Sequence, residues 1–229
     1  MPDPLPSASV PERLERLRED IAAQGRRVLD VVLLAVEAYF DADRAKAEGV
    51  VAADDEIDRI DVEIERACIA ALRHRVDGEH EIRSVLTIVK VNNELERIAD
   101  LAVNVAEAVL AGEATGPATI RVMANSVVGM LRDAIRSLDG GNVDLATQVL
   151  RFDDTVDQFR GEIFRDARTR VEAGELPVAI AFRLLAVAKA LERIADHCTN
   201  ICEQVIYLQS GKIVRHRPEG WTEPEMPAS

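Results

Sequence analysis

Apolar residues recur along this chain at intervals of three and four positions, which is the spacing of one face of an α-helix. With only 12 glycines, nine prolines and 3% aromatic residues, the composition also favours helices over a sheet. The apolar stripe of the first predicted helix consists of Leu14, Leu17, Ile21, Val28, Val32 and Ala35. The pattern predicts an all-α fold of long helices, with approximate bounds of 11–39, 43–75, 79–110, 118–138, 143–172 and 177–211.

A break in the helical pattern divides the chain into two halves. The segment 112–117 reads GEATGP, and its proline is suited to the first turn of a new helix. We therefore predict two tandem, pseudo-symmetric, antiparallel three-helix bundles, at 11–112 and 117–211. The remaining 212–229 segment is rich in proline and charge and is predicted to be a flexible tail.

Both halves contain the same motif, LERIADxxxNxxE, which begins at Leu95 and again at Leu191. Each position recurs 96 residues later (191 minus 95). A second similarity, between DDEIDRIDVEI from Asp54 and DDTVDQFRGEI from Asp153, has a shift of 99 (153 minus 54). The sequence therefore indicates an internal duplication.

The polar residues of the motif lie three or four positions apart, so they share one face of a helix. In the two copies they are Glu96, Asp100, Asn104 and Glu107, and Glu192, Asp196, Asn200 and Glu203. The apolar residues on the opposite face are Leu95, Ile98, Ala102, Val105 and Val109, and Leu191, Ile194, Cys198, Ile201 and Val205. We expect the apolar face to be buried and the acidic stripe to face solvent or a groove, with neither Asp100 nor Asp196 buried.

The acidic stripes suggest two alternatives. Carboxylate and amide oxygens are ligands for hard or intermediate cations, and further aspartates stand on the preceding predicted helix of each half, namely Asp54 and Asp58, and Asp153 and Asp157. Solvated stripes held by ion pairs are the commoner arrangement, and Arg97 and Arg193 each lie three residues before the motif aspartate. The identical repetition favours a shared constraint. If both stripes bind metal, we expect similar affinities in the two halves, because the ligands and their spacing are the same.

Charge and composition reduce the number of functions that the chain could have. A net charge of −13 argues against a protein that neutralises the phosphates of DNA or RNA. The chain contains neither an apolar run as long as a membrane span nor a secretion signal, so we expect a cytoplasmic protein that meets membranes only through its partners. Its three cysteines provide no disulfide framework. Cys198 and Cys202 lie on or beside the apolar stripe, which favours buried thiols over a soft-metal site.

Several enzyme classes lack their sequence signatures. The chain contains neither of the glycine-rich phosphate loops GxxxxGK and GxGxxG, and no local Ser-His-acid or Cys-His arrangement. A carboxylate-bridged metal enzyme on a helical bundle typically uses Glu-x-x-His, but Ala99 and Ala195 stand where the histidines would be. We therefore expect a non-enzymatic protein and keep the metal enzyme as an alternative.

The chain resembles the PhoU family of phosphate-signalling proteins. The resemblance rests on the DxxxD of the second and fifth predicted helices, the twin LERIADxxxNxxE and the run ERIADHCTNICEQVIYLQSGKIVRH, and it extends over about 14–217. It implies a cytoplasmic adaptor that represses the phosphate-starvation response by linking the ATP-driven phosphate importer to its sensor histidine kinase. An accessory protein of another phosphate permease is the alternative.

The resemblance also implies site residues and partners. Metal ligands would be Glu96, Asp100, Asp54 and Asp58 in the first half, and Glu192, Asp196, Asp153 and Asp157 in the second, with the asparagine and second glutamate of each motif extending the stripe. The metal would be iron, zinc, manganese or magnesium, and the protein would be a homodimer. Only the second half keeps the Pro-Val-Ala opening of the third helix, so we expect partners to contact that half more strongly.

Overall fold

The chain folds into six long helices within the residues that the computed structural model describes, which are 9–73, 78–112, 116–217 and 220–222. Their bounds are α1 Val10–Asp41, α2 Arg44–Leu72, α3 Glu79–Leu110, α4 Ala118–Gly140, α5 Val143–Glu172 and α6 Val178–Ser210. Each bound lies within a few residues of the predicted one. None of these helices is long and apolar enough to cross a membrane.

Local signals explain where several helices begin and end. At the start of α1 the Ser9 amide donates to Glu12 Oε2 at 2.8 Å. The side chain of Asp43 accepts from the first backbone amides of α2, and Asn142 does the same for α5. Helix α4 ends at Gly141, whose φ of 60° is in the left-handed region that glycine adopts without strain.

Four of the six helices make the main contacts between the two halves. Within each half all three helices pack against one another, and the halves meet through α1 against α4 and α3 against α6. Helices α1, α3, α4 and α6 therefore form the inner layer, while α2 and α5 lie outside it. Helices α3 and α6 run antiparallel, because Glu94 contacts Asn200 at one end of their interface and Ala111 shares a groove with Arg183 at the other. We call this interface the seam.

The apolar faces predicted for α3 and α6 are buried, and they belong to one core that spans both halves. All three cysteines are buried and free, as predicted for Cys198 and Cys202. Burial raises the pKa of the Cys68 thiol to about 11 and that of Cys202 to about 12. At neutral pH these thiols are therefore protonated, and they act as small apolar side chains of the core.

The tail contains regular structure that the helical pattern did not predict. Strands β1 (Arg215–Arg217) and β2 (Gly220–Thr222) pair antiparallel, with His216 opposite Trp221. Strands of three residues are too short to give a recognisable alternation of apolar and polar positions. Residues 218–219 and 223–229 of the predicted flexible tail lie outside the described residues.

Candidate metal sites in the two halves

Helices α2 and α3 place five carboxylates on facing surfaces of the first half. These residues, which we call the first acidic cluster, are Asp54, Asp58, Asp61, Glu96 and Asp100. Spacings of three and four residues bring the members of each helix to one face, and the packing of α2 on α3 brings the two faces together. Four of the five were predicted from the sequence. Asp61 was not, although the same spacing follows Asp54 and Asp58.

Negative charge in the first acidic cluster is only partly compensated. Partial burial raises the pKa of Asp54, and repulsion from Asp58 and Asp100 raises it further. The pKa of Glu96 is raised by burial and then by Asp100. Arg97 provides a counter-charge, with Nε 3.3 Å from Glu96 and Nη1 3.3 Å from Asp100.

Two hydrogen bonds from the neutral side chain of Asn92 help to hold the first acidic cluster. Asn92 Nδ2 donates to Asp61 Oδ1 at 2.6 Å and to the Asp61 backbone oxygen at 3.0 Å. Even so, burial followed by repulsion from Glu65 and Asp58 raises the pKa of Asp61. A cation bound between α2 and α3 would relieve this repulsion.

The second half brings the corresponding carboxylates together between α5 and α6. The second acidic cluster consists of Asp153, Asp157, Glu192 and Asp196. Partial burial and then repulsion from Glu192 raise the pKa of Asp196. Asp196 is exposed and Asp100 is half-buried, so both are non-buried as predicted.

Two cationic side chains lie beside the second acidic cluster. Arg160 Nε lies 3.4 Å from Glu192 Oε2, and Lys189 Nζ donates to the same oxygen. In the first half, the position of Arg160 is occupied by Asp61, which lies 99 residues earlier. The position of Lys189 is occupied by Asn93, which lies 96 residues earlier. The carboxylates of the two motifs are therefore alike, but their neighbours are not. The expectation of equal affinities rested on the motif alone, and these neighbours argue against it.

The four polar residues of the first-half stripe do not form a single site. Glu96 and Glu107 are 11 residues apart, or about 16 Å along the helix, too far to share a metal ion. Asn104 and Glu107 instead line the seam, together with Arg183 and Lys189. The predicted extension of the first-half site by Asn104 and Glu107 is therefore not part of the cluster that the structure forms.

The polar residues of the second-half stripe also lie in two separate places, and some of them are buried. Asn200 and Glu203 line the other end of the seam, so they too lie apart from the second acidic cluster. Glu192 and Glu203 are only 8% and 7% exposed, so of the two expected placements, solvent or a groove, these residues lie in grooves between helices. Helix α6 belongs to the inner layer, where its polar residues meet partners on neighbouring helices.

The sequence also missed a polar contact across the seam. Glu94 Oε2 lies 2.6 Å from His197 Nδ1 and accepts a hydrogen bond from Asn200 Nδ2 at 3.0 Å. Both partners are more than 100 residues away from Glu94 in sequence. Periodicity within one helix carries no signal for such a contact.

The donor sets of both acidic clusters consist of carboxylate oxygens, which suit magnesium, manganese or iron better than a soft metal. Among the described residues, no three Asp, Glu, His or Cys side chains stand close enough together to hold an ion in their present rotamers. Binding would therefore require the carboxylates to rotate towards a shared ion.

Comparisons with known proteins agree with the duplication. The family model described as the PhoU domain matches twice, at residues 21–109 and 120–205. A PhoU homolog of Thermotoga maritima, described as an accessory protein of the phosphate-specific transport system, is 30% identical over 87% of this chain and 88% of its own. A PhoU homolog of Pseudomonas aeruginosa with the same description is 32% identical over 89% of this chain and 86% of its own.

Solved structures share the fold. The crystal structure of PhoU from Pseudomonas aeruginosa matches with a TM-score of 0.85 and 30% identity, over 89% of this chain and all of that one. A phosphate transport system regulatory protein, PhoU from Streptococcus pneumoniae, matches with a TM-score of 0.85 at 24% identity, over 90% of this chain and all of that one. The predicted all-α architecture is thus confirmed.

Proposed function

Because the chain belongs to the PhoU family, whose domain model matches both halves, we propose that it is a cytoplasmic regulatory adaptor of phosphate uptake. In this role it represses the phosphate-starvation response when phosphate is plentiful, by linking the ATP-driven phosphate importer to its sensor histidine kinase. The double domain match is the observation that carries the proposal. The relatives' description as accessory proteins of the phosphate-specific transport system supports a non-enzymatic role.

Metal binding belongs to this proposal. The first acidic cluster would hold a divalent or trivalent cation through Glu96, Asp100, Asp54 and Asp58, with Asp61 as an additional ligand. The raised pKa values of Asp54, Asp61 and Glu96 support this assignment, because an added cation would reduce the repulsion that these carboxylates experience. The second acidic cluster would bind the same cation more weakly, since Arg160 and Lys189 already neutralise part of its charge.

Exposed apolar side chains support the proposal that a protein partner binds to the second half. Phe182 on α6 is 70% exposed, and it lines a groove between α5 and α6 with Phe164 and Val178. The residue 96 positions earlier, Leu86, is smaller and 45% exposed. We therefore expect Phe182→Ser to reduce pull-down of the kinase or the importer ATPase more than Leu86→Ser. An equal loss from both variants would contradict a preference for the second half.

Gene deletion tests the regulatory proposal. In phosphate-rich medium, the deletion strain is expected to express the importer and a secreted phosphatase at starvation levels. Unchanged expression would contradict the repressor role and favour an accessory protein of another phosphate permease. Sedimentation of the purified chain tests the proposed homodimer separately.

A further inference from the structure

Because of the internal repeat, the seam has two corresponding grooves, and different residues line them. The basic groove, of about 500 Å³, is lined by Asn104, Glu107, Arg183, Lys189 and Arg193 together with small apolar residues. The matching groove, of about 540 Å³, is lined by Val89, Lys90, Asn93, Glu94, Asn200, Glu203 and Gln204. The shift of 96 residues relates Asn104 to Asn200 and Glu107 to Glu203, so the two grooves correspond.

In the matching groove an internal carboxylate occupies a position among hydrogen-bond donors. Glu94 Oε2 accepts from Asn200 Nδ2 at 3.0 Å and lies 2.6 Å from His197 Nδ1. Glu94 therefore acts as a built-in anion that joins α3 to α6.

The basic groove lacks that carboxylate. Ala190 stands 96 residues after Glu94, and Asn104, the counterpart of Asn200, is exposed. Small side chains, those of Ala186, Ala190, Ala108 and Ala111, form much of the lining. Leu101, which is buried, stands where the matching groove has His197. The basic groove therefore has no carboxylate that joins α3 to α6 as Glu94 does.

Three cationic side chains line the basic groove, although the whole chain has a net charge of −13. Arg183 and Arg193 form no hydrogen bond or ion pair with any residue that the structure describes, and Arg183 Nε is buried without an acceptor. Lys189 is shared with Glu192 of the second acidic cluster. Glu107 is the carboxylate among the lining residues, so the three cations outnumber it.

We propose that the basic groove binds a small phosphate-type oxyanion, which pairs with Arg183 and Arg193. Guanidinium groups donate several hydrogen bonds in a fixed plane, a geometry that suits phosphate oxygens, and the Asn104 amide provides a neutral donor. The inference goes beyond the proposed function, because it depends neither on a bound metal nor on a partner protein.

Calorimetric titration of the full chain with inorganic phosphate tests the proposal. The protein is first treated with a chelator, so that phosphate cannot bind through a metal in the acidic clusters, and the ionic strength is held constant with potassium chloride. We expect saturable binding that the double variant Arg183→Gln with Arg193→Gln weakens by about tenfold or more. Arg97→Gln is the matched control, since Arg97 occupies the position of Arg193 on α3 and lies outside the groove. It should bind phosphate like the parent protein.

A second variant supplies the missing carboxylate. Ala190→Glu places in the basic groove the residue that stands at the matching position on α3, and it should abolish phosphate binding. If this variant unfolds, as circular dichroism would show, the arginine variants still decide the question. Absence of saturable binding at millimolar phosphate would overturn the proposal, as would binding that survives the loss of both arginines. Binding of a glutamate-rich peptide without binding of free phosphate would also overturn it, in favour of an acidic partner segment.

Discussion

The two halves of this protein share an acidic motif and differ in the residues beside it. In the first half, Asp61 and Asn93 lie at the two positions that Arg160 and Lys189 occupy in the second. The first acidic cluster is therefore rich in uncompensated negative charge, whereas Glu192 in the second has two cations within ion-pair distance. An identical motif therefore does not make identical sites, because neighbouring charges decide how strongly carboxylates attract a cation.

The same divergence extends to the seam, where Glu94 on α3 corresponds to Ala190 on α6. The Glu94 carboxylate joins α3 to α6 in one groove, whereas three cationic side chains and one carboxylate line the other. Substitutions that exchange or remove these neighbours should therefore affect the two halves differently.

The largest effect on stability is expected at the seam. Glu94→Ala leaves His197 Nδ1 and Asn200 Nδ2 without their shared acceptor in a part-buried site, and we expect a loss of about 2 kcal/mol in unfolding free energy. Ala190→Ser, at the corresponding position on α6, removes no such contact and should cost clearly less. Chemical denaturation followed by circular dichroism measures both. Equal losses would show that Glu94 does not join the halves.

A smaller effect is expected from the motif glutamates. Glu192→Gln weakens the ion pairs of a buried carboxylate with Arg160 and Lys189, so we expect about 1 kcal/mol of destabilisation, or about 2–4 °C in melting temperature. Glu96→Gln is the matched change in the first half. It removes a carboxylate whose pKa is raised, so the melting temperature should stay the same or rise slightly. A larger fall for Glu96→Gln than for Glu192→Gln would reverse the comparison.

The smallest effect is a dependence on pH in the first half. Because the pKa of Asp54 is higher in the folded protein, ionisation of this group costs stability at neutral pH. Asp54→Asn should therefore raise the melting temperature at pH 7 by about 1–2 °C, an amount limited by solvent screening. This gain should vanish as the pH falls below the ordinary aspartate value of 3.8. Asp55→Asn, the same charge change on the exposed neighbour, should give a smaller gain, and a gain that grew towards acidic pH would contradict the assignment.

The sequence was sufficient to predict the helices and their buried faces. Helical periodicity and breaks such as Gly112 and Pro117 reflect interactions within a few residues, so the helix bounds and the duplication could be predicted closely. The sequence also identified the aspartates of α2 and α5 that meet each motif.

The neighbours of these residues could be predicted less well. Periodicity shows which residues share a face, but not which helix packs against that face. The antiparallel seam brings Glu94 to His197 and Asn200, more than 100 residues away, and the same packing buries Glu192 and Glu203. The role of Asp61 could have been predicted from the sequence, because the alignment of the two halves already pairs Asp61 with Arg160.

A manganese titration tests directly whether neighbouring charges distinguish the two halves. It compares the metal-free chain with a variant whose first half carries the neighbouring residues of the second half. We predict that the parent chain binds one ion tightly, and that Asp61→Arg with Asn93→Lys weakens this binding by about tenfold or more. Asp196→Asn, which alters the second acidic cluster instead, should leave the tight site unchanged. Two sites of equal affinity in the parent chain, or undiminished tight binding in the exchanged variant, would contradict the claim that neighbouring charges distinguish the two halves.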